Sequence, residues 1–338
     1  MFHQIFSSWL VAAVVFAGLA QPAHAADPFF KGKTVTLLVS TAPGGAYDLI
    51  ARLFAKQLPN HLEGAPTVIV QNMPGGGGKT LSNHLYNIAP KDGTSIAILN
   101  QTLGIDQIVS DDVQYSTAKF EWLGRVATTT GLVIVHKNAP AATLEEMKTK
   151  EVLFAGQGKG SQTYMIPMMM KTLLGLKTKV ILGYQSAPEI FKAMESGEVH
   201  GRTGDVAAVL SSHPDWLKDG TIRILGELTL ADKPSMPNLP LLTKMAPNPQ
   251  ALEVLELVGS YTAFGFPFAA PPGTARDRVE VLRKALDGVV KDPAFLADMD
   301  KAKLVADHMS GADIQKIADK FSTVTPEVVE RTKKALEW

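Results

Sequence analysis

The chain has 338 residues, and its 33 lysine and arginine residues balance 33 aspartate and glutamate residues, so no overall field favours nucleic acid or an acidic membrane surface. It contains no cysteine, which excludes disulfides, thiol nucleophiles, thiolate metal sites and a lipid-modified cysteine. One hydrophobic core rarely grows beyond about 250–300 residues, so two domains are expected.

The first predicted element is an export signal. Residues 9–19 form one apolar run, and Ala23, His24 and Ala25 follow it as an A-x-A cleavage site. The run is shorter than the about 20 residues that a transmembrane helix needs. We predict a signal peptide over residues 1–25 and export of the mature chain to the periplasm. An uncleaved anchor is the alternative, because the segment before the apolar run has no lysine or arginine.

Short β-branched runs then alternate with segments of helical spacing. Strands are predicted over residues 35–40, 67–71 and 95–99, and helices over residues 47–58 and 80–88. This β-α-β-α-β order predicts a mostly parallel sheet.

The same alternation begins again after Trp122. Strands are predicted at residues 132–136 and 152–155 and near residues 180 and 222, and helices at residues 161–174 and 187–196. Residues 232–249 are rich in proline and asparagine, which indicates a crossing between domains. A strand at residues 261–266 and helices from residue 275 onward are expected to return to the first domain. Domain 1 is thus predicted to comprise residues 26–125 and 240–338, and domain 2 residues 126–239.

Two glycine-containing loops follow predicted strands and open helices. The first contains Ala42, Pro43, Gly44, Gly45, Ala46, Tyr47 and Asp48. Its glycines allow close approach of a ligand to the backbone, and the amides of a helix start attract anions. The alternative is a plain turn in which Asp48 caps the helix.

The second loop holds the same position in the other domain, and it contains Gly158, Lys159, Gly160, Ser161, Gln162 and Thr163. Its hydroxyl and amide groups favour oxygen atoms of a ligand. If the two loops face each other, domain closure would surround a ligand from both sides. Two unrelated connectors, with Ser161 a helix cap, are the alternative.

A third glycine run, residues 75–78 followed by Lys79 and Thr80, suggests a phosphate-binding loop. That motif requires a glycine where this chain has Met73, so a phosphate-loop enzyme is not expected. A tight or flexible turn at the rim of the cleft is the structural interpretation.

Arg202 and Asp205 lie near a predicted strand end. Arg202 either meets a ligand carboxylate or pairs structurally with Asp205, and the sequence leaves both open. No histidine spacing indicates a metal site and no G-x-S-x-G motif indicates a serine hydrolase, so we expect no metal, no cofactor and no enzymatic activity.

The order of the motifs is similar to that of the Bug-type solute receptors of tripartite tricarboxylate transporters. The similarity rests on residues 43–48 with Ala51 and Arg52, and on the segments at residues 71–78, 90–93, 154–161, 183–188, 197–199 and 270–274. Three positions differ from the pattern of this family, since Gln71 and Met73 replace Glu and Arg and Arg202 replaces an apolar residue.

The resemblance implies an α/β, two-domain periplasmic-binding-protein fold that closes on a small organic carboxylate in the cleft. It implies that both glycine loops hold a carboxyl group and that Asp205 lies at the pocket edge. Delivery to membrane permease subunits is the implied role, and a sensor for a two-component system or an exported enzyme is the alternative. We expect a monomer, and the sequence does not identify the carboxylate.

Overall fold

The structure is a computed structural model that describes residues 29–338, so the predicted signal peptide lies outside the described residues. The strands are β1 Thr34–Val39, β2 Thr67–Asn72, β3 Ser95–Ile98, β4 Glu121–Ala127, β5 Leu132–His136, β6 Val152–Gly156, β7 Thr178–Leu182, β8 Gly201–Gly204, β9 Ile222–Glu227, β10 Pro267–Ala270 and β11 Ala306–Ser310. The helices are α1 Ala46–His61, α2 Lys79–Asn87, α3 Leu103–Val109, α4 Gln162–Thr172, α5 Ala187–Ser196, α6 Val206–Leu210, α7 Pro249–Gly259, α8 Tyr261–Phe264, α9 Arg276–Val289, α10 Pro293–Lys301, α11 Gly311–Lys320 and α12 Pro326–Ala335.

The strands form two sheets, in the orders β11-β4-β10-β3-β1-β2 and β7-β6-β8-β5-β9. Parallel pairs join β1 to β2 and β3, and β6 to β7 and β8. Antiparallel pairs involve β10 and β4 in the first sheet and β5 and β9 in the second. The two-sheet α/β class is confirmed, but the sheets are mixed where the sequence predicted mostly parallel ones. Parallel pairs occur where helices provide crossovers, and antiparallel pairs involve the strands next to the connections between the sheets.

The central strands of the first sheet are buried on both faces, which explains the continuous apolar run of β1. Leu37 packs with Ile50 and Phe54 of α1, whereas Leu38 packs with Leu81 of α2 on the opposite face. Side chains alternate between the faces of a strand, so helices on both sides require apolar residues at every position.

Two connections pass between the sheets. Residues 128–131 join β4 to β5, and the chain returns between β9 and β10. The two connections touch, because Leu228 N donates to Gly131 O at 2.9 Å. The strands of the first sheet lie in residues 34–127 and 267–310 and those of the second in residues 132–227. The predicted domain limits remain a prediction.

The predictions for β5 and α5 are confirmed residue for residue, but the strand predicted at residues 261–266 is wrong. This segment forms α8, Gly265 then adopts a φ of 59°, and β10 begins only at Pro267. Tyr261 and Phe264 are both buried at helical spacing, and a short apolar run does not distinguish a strand from a buried helix. Strand β11 was not predicted, because its sequence is polar and half-exposed. No helix within residues 29–338 has the length and apolarity required to cross a membrane.

Candidate functional site

Two neighbouring cavities lie between the sheets, and they share Thr41 and Gln157. The first has a volume of about 240 Å³ including its open mouth and is lined by Ser40, Thr41, Pro74, Gly75, Gly77, Gly78, Asn100, Gln157, Tyr184 and Gln185. The second has a volume of about 430 Å³ including its open mouth and is lined by Thr41, Gly45, Ala46, Tyr47, Gln157, Gln162, Ala187, Arg202, Asp205, Ala208 and Phe266. Both cavities therefore take residues that flank the first sheet and residues that flank the second.

The first predicted loop places its helix start at the second cavity. Gly45, Ala46 and Tyr47 line the cavity, and amides in the first turn of a helix have no intrahelical acceptor. Asp48 instead braces the loop, since its carboxylate accepts from Gly44 N at 3.0 Å and from Arg52 Nη2 at 2.9 Å.

Two further residues of the first loop, Ala42 and Pro43, lie outside the lining of both cavities. Ala42 N donates to Gln185 O at 3.3 Å, which is a contact with the second sheet's loops, and Pro43 is exposed.

The hydrogen bonds of Asp48 lead to a prediction about the stability of the protein. Burial raises the pKa of Asp48, but the hydrogen bonds from Arg52, Asn72 and Gly44 outweigh it, so the pKa lies below its usual value. We expect Asp48→Ala to lower the free energy of unfolding by about 2 kcal/mol, because buried donors lose a charged acceptor. A depressed carboxyl pKa stabilises the fold above the unfolded value and loses this effect as pH falls through the folded value. The advantage of wild type over D48N in urea unfolding should therefore shrink as the pH falls from about 4 through the folded pKa of Asp48, and a constant advantage would contradict this role of Asp48.

The second predicted loop contributes its amide side chains to the cavity rather than its hydroxyl groups. Gln162 lines the second cavity, as does Gln157, which belongs to the same predicted strand-to-helix segment but is not among the candidate ligand-binding residues. Ser161 is 1% exposed and lines neither cavity, because its hydroxyl donates to Gly158 O at 2.7 Å and lies 2.7 Å from Thr163 Oγ1. Lys159 points away, with Nζ donating to Glu337 O at 3.1 Å.

The third glycine run contacts the second loop. A Cβ on Gly77 would lie 2.7 Å from the carbonyl carbon of Gly160, and one on Gly158 would lie 2.6 Å from Gly77 N. Thr102 Oγ1 also donates to Gly160 O at 2.5 Å. The sequence places this run at the rim of the cleft. In the structure it lies against the second loop, backbone to backbone, and Gly75, Gly77 and Gly78 line the first cavity.

Asp106 is buried at the same contact. A Cβ on Gly160 would lie 3.0 Å from Asp106 Oδ1, and this oxygen has no hydrogen-bond partner within the described part of the chain. Burial raises the pKa of Asp106 to about 7, although Lys79 lowers the pKa, Asp112 raises it and Tyr115 lowers it.

We predict that the carboxyl group of Asp106 makes the stability of the protein depend on pH. The pKa of Asp106 is higher in the folded protein than in the unfolded chain. The stability that Asp106 contributes is therefore greatest below about pH 4 and is lost as the pH rises through about 7. We expect Asp106→Asn to raise the free energy of unfolding above pH 7 by more than about 1 kcal/mol, since each pKa unit is worth about 1.4 kcal/mol. Asp111→Asn is the control, because the Asp111 side chain is fully exposed. Equal denaturation curves for D106N and D111N at alkaline pH would contradict the prediction.

Arg202 is a buried cation in the second cavity. Its residue is 6% exposed, and its Nη1 has no hydrogen-bond partner among residues 29–338. Its Nε makes a long contact of 3.4 Å to Thr203 O, and its guanidinium carbon lies 5.4 Å from the centre of the Phe191 ring. Burial lowers the pKa of Arg202 to about 10, and Asp205 opposes this shift. The guanidinium is therefore charged at neutral pH and incompletely satisfied by the protein.

The carboxylate of Asp205 is hydrogen-bonded to two threonines and not to Arg202. Its Oδ2 accepts from Thr129 Oγ1 at 2.5 Å, and its Oδ1 accepts from Thr130 N at 2.8 Å and from Thr130 Oγ1 at 2.9 Å. Burial raises the pKa of Asp205, while the threonine hydrogen bonds and Arg202 lower it. The structure therefore shows no hydrogen bond between Arg202 and Asp205, which was one of the two hypotheses for Arg202.

Other polar atoms in the cavities are also unsatisfied. Ser40 Oγ, Thr41 Oγ1 and Gln162 Oε1 are buried and have no hydrogen-bond partner in the described chain. Ser40 and Thr41 directly follow the end of β1, and Asn100 follows the end of β3 by two residues. Open α/β sheets bind ligands at the carboxyl ends of their strands. That rule was the signal available in the sequence for these residues.

Two α/β units whose loops meet over a small polar cavity with a buried cation define a two-domain binding protein for a small solute. The model of the tripartite tricarboxylate transporter family receptor matches residues 50–333, and the chain belongs to this family. The family predicted from the motifs, the Bug-type receptors, is confirmed. A relative from Pseudomonas sp. (strain P51), the UPF0065 protein in the tcbD-tcbE intergenic region, is 23% identical over 303 residues and covers 88% of this chain and 84% of its own length.

Solved structures share the fold. Rhodopseudomonas palustris MatC (Rpa3494) with bound malate matches with a TM-score of 0.68 at 18% identity, covering 90% of this chain and 99% of MatC. R. palustris Rpa4515 with adipate matches with a TM-score of 0.69 at 20% identity, covering 90% of this chain and 97% of the other. The two-domain periplasmic-binding-protein fold is thus confirmed.

Proposed function

We propose that this protein is a periplasmic receptor that captures a small organic carboxylate by closing residues 126–239 over residues 26–125 and 240–338. It then presents the ligand to the permease subunits of a tripartite tricarboxylate transporter, and it makes and breaks no covalent bond. The family supports the receptor role, and the names of MatC and Rpa4515 associate related folds with malate and adipate.

The observation that carries the proposal is the buried guanidinium of Arg202, whose Nη1 has no hydrogen-bond partner among residues 29–338. A buried charge without a partner is costly, whereas a carboxylate on a guanidinium forms short charge-assisted hydrogen bonds. Asp205 is bonded to Thr129 and Thr130 and does not fill this role. An anion from outside the chain would complete the site.

We infer the position of the ligand from the groups around this cation. One carboxyl group lies between Arg202, the start of α1 at Gly45 and Ala46, and the Gln162 side chain. The helix start adds favourable backbone N–H groups and the positive end of its dipole. The rest of the ligand extends past Thr41 toward the first cavity, which is polar and lined by no charged side chain.

A thermal-shift screen tests the proposal. The protein from Ala26 onward is heated with mono-, di- and tricarboxylic acids and aromatic acids at neutral pH. An acid at about 100 times its dissociation constant should add about 2.7 kcal/mol of stability. Binding of a neutral solute with no response to any acid would overturn the proposed function.

A further inference from the structure

The segment that joins the two sheets is hydrogen-bonded to Asp205, which lines the second cavity. Residues 128–131 lead from β4 to β5, and Gly131 is enclosed, since a Cβ there would lie 2.4 Å from Leu228 O and 2.5 Å from Tyr261 Oη. Any rotation of one sheet against the other must change backbone angles in this segment or in the returning connection that it contacts.

Asp205 holds this segment from the second unit. It lies at the start of α6, immediately after β8, and it takes three hydrogen bonds from Thr129 and Thr130. Thr129 is 4% exposed, so these bonds are shielded from water. A carboxylate that accepts a backbone amide and two hydroxyls fixes both the chain direction and the side-chain rotamers of its partners.

The hydroxyl of Thr129 is also linked, through hydrogen bonds, to a residue that lines the second cavity. Gln101 Nε2 donates to Thr129 Oγ1 at 3.4 Å, and Tyr47 Oη donates to Gln101 Oε1 at 2.8 Å. Tyr47 and Asp205 both line the second cavity. The chain of contacts therefore connects the first unit, the crossing segment and the second unit around one site.

We propose that Asp205 is a positioning residue that clamps Thr129 and Thr130 in the closed arrangement, and that a ligand anion at Arg202 keeps Asp205 available for this clamp. Asp205 and Arg202 line the same cavity three residues apart, and their opposite charges attract. Without an anion, Arg202 competes with the threonines for Asp205, so the clamp is formed in only part of the population. An anion on Arg202 removes this competition, so ligand binding shifts the population further toward the closed form.

The ligand's part in this mechanism rests on the proposed function, whereas the clamp itself does not. The clamp is tested with Thr129→Val, which removes one hydroxyl while keeping the shape and leaves the acceptor of Thr130 N in place. Thr128→Val is the matched control in the same segment. In ligand-free protein, hydrogen exchange at the Thr130 amide should be about tenfold faster in T129V than in T128V. Equal exchange rates would overturn the clamp.

Closure is followed by the distance between two spin labels. The chain has no cysteine, so Ile88→Cys and Lys192→Cys on exposed positions of the two units give one defined pair. T129V should shift the ligand-free distance distribution toward the open form relative to T128V, and Asp205→Asn should do the same. A distribution that is identical in T129V, D205N and T128V would contradict the clamp.

The competition between ligand and Asp205 has its own test. Ligand-free Arg202→Gln should shift toward the closed form, because Asp205 then has no rival partner. An unchanged distribution or a shift toward the open form would overturn the competition. If malate, adipate and the other acids fail to bind while T129V still accelerates exchange, the proposed function fails and the clamp stands.

Discussion

Arg202→Gln is expected to weaken carboxylate binding by about tenfold to a hundredfold or more, because a hydrogen bond to a charged group is worth about 1.5–3 kcal/mol. The ligand-free variant should be at least as stable as wild type, since it removes a buried charge that the protein leaves unpartnered. Titration calorimetry gives the affinity, and urea unfolding gives the stability. The two effects have opposite signs, which separates a binding residue from a structural one.

Arg125→Gln is the matched control. Arg125 is also a buried arginine, but its guanidinium donates to Asp307 Oδ2 and to Ala263 O, each at 2.5 Å. We expect R125Q to lose about 2–3 kcal/mol of stability and to keep its affinity. Full affinity in R202Q, or a stability loss equal to that of R125Q, would contradict the assignment of Arg202 to the ligand.

The second large effect is expected at the contact between the third glycine run and the second loop. Gly77→Ala places a Cβ 2.7 Å from the carbonyl carbon of Gly160 and 2.8 Å from Ser161 N, which are backbone atoms and cannot rotate away. The closed form must therefore open by several tenths of an ångström or more, and we expect affinity to fall by about tenfold to a hundredfold, the loss of one or two hydrogen bonds to a charged ligand.

Gly220→Ala controls for the backbone cost of this change. Gly77 has a φ of 72° and Gly220 a φ of 75°, so alanine suffers a similar penalty of about 1 kcal/mol at both. A Cβ at Gly220 meets nothing within 4 Å. Both variants should lose similar stability, but only G77A should lose affinity. Equal affinities would show that the Gly77 contact is not needed for binding.

Much of the first unit was predictable because its physics is local. The apolar runs of β1 and β3 and the helical spacing of α1 follow directly from burial on two faces of a sheet. The predicted helix start at Gly45 and Tyr47 does line a cavity, since a loop at the carboxyl edge of a sheet reaches the site whatever the other unit does.

The rest depends on how the two units meet, which local sequence does not encode. Ser161 and Thr163 were expected at the ligand, but the structure turns their hydroxyls toward each other beneath Gly77. Arg202 and Asp205 are three residues apart and suggested a pair, yet Thr129 is 76 positions away from Asp205 and takes its carboxylate. Only the tertiary structure brings these residues together.

The most direct test of the proposed function is a crystal structure of the protein with the acid that gives the largest thermal shift. We predict a carboxylate oxygen about 2.7–2.9 Å from Arg202 Nη1, with Asp205 still bonded to Thr129 and Thr130. An acid bound away from Arg202, or Asp205 paired with Arg202 in the complex, would contradict the account.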